Sequence, residues 1–402
     1  MQVPSTLAWL DHDEAARDRM ERVLALFEER DTVDELGLGA IRDSFADRLF
    51  PGTSTIQTRL RYFLFIPWIY RRLERDDVSS REAPARSRER EHRLTESLLG
   101  AEDTDGVFGK EAGRELKRLA SQVYWSGLTE WGIRRFDGSR RRYLSALDGL
   151  RRRRHRLAAR DKEDQESGAP RLSTWHPGLP DPPEGFPDAD DLSLELMPQE
   201  AEYLQERVQV SHPDSLLATL FLRAEPFECD FPWQHPIWSE LGERHRDVLD
   251  HARRFSKAAQ GATLLYNLLL ARKDERAAKV EEYEQRLAHW EASLDREEMS
   301  AWSLDRLWEL TEGQGHTITL GARRFVTRWV ELCAARRGLA ADPDAADLVR
   351  RREERMKGAR SRFRNPSALE RWRGASGLGR FEYRWTEVKT YLEDLYTGLG
   401  DA

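Results

Sequence analysis

Arginine is the residue type that most plainly suits this sequence to chemistry with another molecule. Between Ile133 and Arg160 there are eleven Arg against two Asp, an excess of nine positive charges. The stretch "GIRRFDGSRRRYLSALDGLRRRRHR" joins Arg134, Arg135, Arg140, Arg141, Arg142, Arg151, Arg152, Arg153 and Arg154, with Phe136 and Tyr143 between them. A guanidinium presents a planar fork of donors that meets phosphate oxygens or a guanine edge two at a time. Gly138-Ser139 reads as a turn and cap, so Arg140, Arg141 and Arg142 open a helix, as in helix-turn-helix arrangements. A second patch, "RRREERMKGARSRFRNPSALERWRG", holds eight basic and two acidic residues between Arg350 and Arg364, with Arg360, Arg362 and Arg364 at its end. Glu353 and Glu354 lie a helical turn from basic neighbours and weaken it. Phe363 and Trp372 are of the type that stacks on bases or packs in a core. The competing expectation for both patches is a solvated face paired with acids. Residues 161–206, with thirteen acidic side chains against two basic ones, are an available counterpart.

A different kind of anion site is suggested by "LFPGTSTIQTRLRYFLFIPWIYRRLE", residues 49–74. Pro51-Gly52 forces a turn, and Ser54 followed by Gln57 matches a capping box, which predicts a helix from about Thr55 through the apolar body. Its free N–H groups, with Ser54, Thr55 and Arg59, form a candidate anion site; a capped core helix is the structural alternative. The loop lacks the second Gly and the Lys of a Walker loop. Its longest apolar run, Tyr62 to Tyr70, contains Pro67 and is far shorter than the roughly 20 residues that span a bilayer.

Residues for bond-breaking are less well arranged. Metal-dependent nucleases need clustered carboxylates, and the densest cluster, Asp188, Asp190 and Asp191, falls in a Pro-rich stretch. No His has a Lys two residues on, as a phospholipase-D-type site requires. His235, His245 and His251 are the densest histidines, but the spacing of the last two turns them to different helix faces, unlike the i, i+4 pair of zinc hydrolases. With Cys229 and Cys333 the only cysteines, neither a disulfide framework nor a cysteine-built zinc site is expected. No catalytic residue, metal or cofactor is assigned.

The elements that must carry these residues read as helices almost throughout. "DEAARDRMERVLALFEE", "AAQGATLLYNLLLA", "LDRLWELT", "GARRFVTRWVELCAARRG" and "WTEVKTYLEDLYTGLG" all have the amphipathic helical period. Gly338 and Gly398 stand where helix C-terminal glycines belong. "RKDERAAKVEEYEQRLAHWEASLDREE", 272–298, reads as a long charged helix coiled against the one before it. The best strand candidate is the short "HTITLG", 316–321. The stretch "WHPGLPDPPEGFPDADD" has no period and reads as an extended linker.

At 402 residues, 39% apolar and with 13 Trp, the chain is large enough for two cores, while its 34% charged content is high. The net charge of −7 supplies no global attraction to nucleic acid, so any contact must be local. Only eight Lys occur, an imbalance that a GC-rich genome alone produces. The first 25 residues lack the pattern of a secretory signal. These features together predict a soluble cytoplasmic protein that is mainly α with little or no β. The expected domains are 1–160, with a capped apolar helix over 54–74 and the arginine segment 133–160, and 196–402, joined by a Pro-rich acidic linker over 161–195.

"LAWLD" at 7–11, "LGLGAIRDSFADRLFPGTSTIQTRLRYFLFIPWIYRRLE" at 36–74, "YWSGLTEWGIRRFDGSRRRYLSAL" at 124–147 and the closing "FEYRWTEVKTYLEDLYTGL" resemble a prokaryotic family of unknown function along nearly the full length. The resemblance implies a genomic neighbourhood of helicases, phospholipase-D-like nucleases and other defence genes, and it carries no catalytic residues. The expectation is a non-catalytic accessory subunit of a DNA-defence or DNA-processing complex. It would meet DNA through its arginine-rich helices and partner a helicase or nuclease, with no membrane involved. The alternatives are a protein–protein adaptor without DNA contact and a divergent metal-dependent nuclease.

Overall fold

The computed structural model describes residues 34–116, 118–163, 173–223 and 225–400, with the backbone alone over 157–163. The expected helix "DEAARDRMERVLALFEE" lies outside them. Among the described residues the structure is mainly α, with fifteen α-helices and no strand beyond one isolated bridge, Arg134 to Trp175. The described residues divide into two units, one within 56–207, the other within 34–55 and 208–400.

The first unit is built around α2, Tyr62–Arg75, after α1 of the second unit, Gly39–Leu49. Every residue from Tyr62 to Tyr70 is buried, as befits a helix that is apolar all round. Phe63 stacks on Trp131 at 3.8 Å and meets Tyr124 edge-on at 5.0 Å. Those partners come from and just after α4, Ala120–Glu130, which with α3, Ala83–Leu98, packs against α2. Tyr70 faces Trp125, Tyr143 and Trp175. Tyr143 is on α5, Arg140–Glu163, and α6, Pro198–Ser211, carries the chain out of the unit beyond Arg207.

The start of α2 differs from the sequence expectation. The helix begins at Tyr62, and Arg61, not Ser54, is its capping position. The Tyr124 hydroxyl accepts from the N–H groups of Thr58 and Arg59 (2.8 and 3.1 Å) and donates to the carbonyl of Arg59 (2.9 Å). A distant phenol therefore takes the backbone groups that an earlier helical turn would have used. The helix then runs through Pro67 without ending.

The described part of the acidic Pro-rich stretch belongs to the first unit. From residue 173 to 196 the chain carries no helix, yet Trp175, Leu179, Phe186, Leu192, Leu194 and Leu196 are buried. Trp68 donates its indole N–H to the carbonyl of Pro180 (2.7 Å), and Phe186 lies against Phe65 and Trp68. Arg61, at the capping position of α2, is buried too. It donates to the carbonyl of Ser193 (2.8 Å) and pairs with Glu200 at 2.9 Å.

In the second unit α7, Leu216–Arg223, precedes a long helix, α8, Glu243–Lys273. Its partner α9, Ala277–Ala292, packs back along it after a turn at Asp274–Arg276 in which Glu275 is left-handed (φ 53). The expected charged helix over 272–298 is thus broken, with α10, Arg296–Ala301, continuing separately after an Asp295 cap. Helices α11, Leu304–Thr311, α12, Leu320–Ala335, α13, Pro343–Lys357, α14, Pro366–Glu370, and α15, Trp385–Leu399, complete the unit. "HTITLG" is not a strand: Thr319 caps α12, accepting from the N–H of Ala322. Gly398 is buried inside α15, and Gly400 (φ 76) ends it.

Candidate nucleic-acid interface

Ser139 caps α5, accepting from the N–H of Arg142 at 3.3 Å, so the helix starts at Arg140 as its sequence predicts. Tyr143, Leu144 and Leu147 turn inward and fix which way the helix faces. The arginines then divide by what surrounds them.

Several are spent inside the unit. Arg134 is buried, its guanidinium 4.7 Å from the centre of the Trp125 ring, and it donates to the carbonyls of Phe136 and Gly138 and to the Thr129 hydroxyl. It holds the turn before α5 closed. Arg140 donates to the Tyr70 hydroxyl at 3.2 Å. That places it near the carboxyl of Glu91, which burial pushes above the ordinary range despite two hydrogen bonds from Ser121. Arg151 reaches the carbonyl of Asp77 (2.9 Å) and the carboxylate of Asp148. Arg154 reaches the carbonyl and carboxylate of Glu74.

Others point outward. Arg135, Arg141, Arg142, Arg152 and Arg153 are exposed, with Arg156 beyond them. Arg141 and Arg152 are eleven residues apart, so they leave the same side of the helix about 16 Å from one another. Arg142 and Arg153 repeat that spacing on the adjacent track. Between the two ends Ser145, Asp148 and Gly149 lie on this side, so no bulky side chain separates them and one carboxylate stands between. Arg141 and Arg153 have no carboxylate partner among the described residues, and Arg152 has Asp148 one turn before it, a carboxylate that Arg151 shares. The same unit exposes Arg86 and Arg88 on α3, and Arg81 just before it. The sequence reading missed Arg88 because "REREHR", 88–93, interleaves its arginines with glutamates. Arg90 and Arg93 of that run are indeed paired, with Asp76 and with Glu89 and Asp188.

Half of the eight basic residues of the second patch pair with acids. Arg362 pairs with the buried Glu35 (2.5 Å) and donates to the Tyr266 hydroxyl (2.8 Å). Lys357 pairs with the other oxygen of Glu35 (2.7 Å), Arg364 with Glu354 (2.8 Å) and Arg351 with Asp347 (2.8 Å). Arg360 is exposed. Trp372 is buried, and Phe363 meets Tyr266 edge-on at 5.8 Å.

At the other candidate site, Ser54 and Thr55 precede α2 by several residues and belong to the second unit, so they cap no helix. Arg59 pairs with the carboxylate of Asp103 at 2.9 Å and donates to the carbonyl of Asp105. The histidines are engaged separately. His235 accepts from the N–H of Ile237, His245 meets the carbonyl of Asp214, and His251 accepts from the Trp302 indole at 2.9 Å. Among the described residues no three His, Cys, Asp or Glu side chains come together as metal ligands, and no helix is long and apolar enough to cross a membrane.

Compared with known proteins, the chain matches the model of a family of unknown function, DUF6361, over residues 4–398. No curated protein and no solved structure matches it.

Proposed function

The chain belongs to this family, and from that starting point we propose that it is a cytoplasmic, non-catalytic accessory subunit of a prokaryotic DNA-defence or DNA-processing complex. Its contact with DNA is the outward side of α5. The observation that supports this reading is the set of Arg141, Arg152 and Arg153, exposed, with only Asp148, already paired with Arg151, beside Arg152 and no carboxylate partner for the other two among the described residues, in a chain whose net charge is negative. Guanidinium groups left without acids in such a chain attract an anion from outside. Two arginine pairs at about 16 Å along a straight helix suit a polyanion better than a single small ligand. Arg134, Arg140, Arg151 and Arg154 hold the helix in place for that contact.

The second patch contributes less to this reading, since Glu35, Glu354 and Asp347 already pair with four of its eight basic residues. A helicase or nuclease subunit remains the expected partner, supplying the chemistry. The test is retention of DNA by purified protein as a function of salt, with Arg141→Glu, Arg152→Glu and Arg153→Glu combined. Wild-type binding that weakens steeply with salt, and is lost in the triple variant, supports the assignment. Unchanged binding in a folded triple variant removes α5 from it. Recovery of a protein partner by a chain that ignores DNA at low salt would favour the adaptor reading.

A further inference from the structure

The second unit contains a cationic and aromatic cluster that nothing in the arginine-rich segments anticipates. Phe231 and Trp233, on either side of Pro232, stack with ring centres 4.9 Å apart and planes 5° from parallel. Both are half-buried, so the pair is open to solvent in part. The guanidinium of Arg380 lies over it, 4.3 Å from the Phe231 centre and 5.4 Å from that of Trp233. The Nε of Arg380 is shielded from solvent and has no hydrogen-bond partner.

The surrounding charges do not balance. Arg253 and Arg254 face Asp250 and Glu298, two cations against two anions. Lys257, one turn further along α8, donates to the Ser293 hydroxyl and has Arg253 and Arg380 as its charged neighbours. Burial and those two cations hold its pKa below the ordinary value. Neither Lys257 nor Arg380 has a carboxylate partner among the described residues. Elsewhere in the unit arginines commonly reach one, as Arg306 does with Asp247 and Arg323 with Glu312.

Two uncompensated cations beside a partly open pair of stacked rings match what a single strand of nucleic acid offers. An unpaired base supplies a flat π face for the rings, and its phosphate supplies the missing negative charge. A base within a duplex is already stacked on both sides and cannot use the rings. A free phosphate would use the cations and leave the aromatic pair unexplained.

We infer that Phe231, Trp233, Arg380 and Lys257 form a binding platform for single-stranded nucleic acid. This deepens the reading of the chain as a DNA-contacting subunit and rests on it. The platform also gives the Trp233 ring a role that a core residue would not have: its fluorescence reports the strand directly.

The experiment measures affinity for an oligothymidylate and for a duplex of equal length, by fluorescence anisotropy at low salt. The proteins compared are wild type, Trp233→Ala, Trp233→Phe, the double variant Arg380→Gln with Lys257→Gln, and the triple α5 variant. Trp233→Ala and the double variant are expected to weaken single-strand binding about tenfold or more while leaving duplex binding as it was. Trp233→Phe keeps most of the affinity but loses part of the tryptophan quenching that the strand produces in wild type. Circular dichroism and the melting temperature identify any variant that fails to fold. If Trp233→Ala misfolds, the quenching difference between wild type and Trp233→Phe still decides. Unchanged single-strand affinity in the folded double variant, or identical quenching in Trp233→Phe, overturns the platform and leaves the α5 reading standing. Loss of duplex binding in the α5 variant alone supports that reading separately. Wild-type protein that binds neither form at low salt overturns both.

Discussion

Trp290 of α9 lies across Gly261 of α8 so closely that a Cβ at Gly261 would stand 2.0 Å from its Cζ2. The glycine lets the two helices approach, and the indole N–H then donates to the carbonyl of Lys257 at 2.8 Å. Alanine ordinarily stabilises a helix interior by about 1 kcal/mol over glycine. Here the added methyl must displace a buried tryptophan, and Gly261→Ala is expected to cost about 3 kcal/mol. Urea denaturation checks this, and a variant as stable as wild type would show that Trp290 moves freely.

Arg61 and Glu200 form a buried ion pair at 2.9 Å, each side chain 6% exposed. Removing one member leaves a buried charge alone. Arg61→Met is therefore expected to lose about 3–5 kcal/mol, and the double replacement Arg61→Met with Glu200→Leu to recover much of it. Comparing the midpoints of the two single variants and the double variant measures the coupling. Equal losses in the single and double variants would show that the packing of Arg61, not its charge, matters.

Salt dependence separates the arginines that point outward from those that are spent. Each phosphate contact removed from α5 should lower the slope of log affinity against log salt for duplex DNA by about 0.9. Arg141→Gln and Arg152→Gln should each show this with an unchanged melting temperature. Arg134→Gln should instead lower the melting temperature, because its guanidinium closes the Phe136–Gly138 turn. A reversal of those two outcomes would invert the assignment of roles.

His251 carries a pH prediction. Burial, opposed by Asp247, holds its pKa below the ordinary 6.5, and it accepts a hydrogen bond from Trp302 in its neutral form. The unfolded chain therefore binds a proton first as pH falls. Stability is fully present above about pH 6.5 and declines as pH drops below it toward the lower folded value. His235, whose pKa burial also lowers, adds to the same slope. Urea midpoints at pH 7.5 and 5.5 should fall less for His251→Gln than for wild type, and an equal fall would assign the slope to other groups.

The sequence by itself determined the helical character of the chain and several of its helices. "LDRLWELT" is α11 residue for residue, and the Gly138-Ser139 turn and cap places the start of α5. These features depend on contacts within one or two turns, where side-chain period and capping chemistry decide. The start of α2 was not legible, because the hydroxyl of Tyr124, some 66 residues away, claims the backbone of Thr58. Nor was the accounting of charge. Glu35 takes Arg362 across 327 residues and Glu74 takes Arg154 across 80, while Arg141, Arg153 and Arg380 meet no acid among the described residues. An arginine in a sequence is only a donor. Whether its charge is neutralised inside the fold or left for a partner is decided by which distant carboxylate the packed chain brings within a few ångströms.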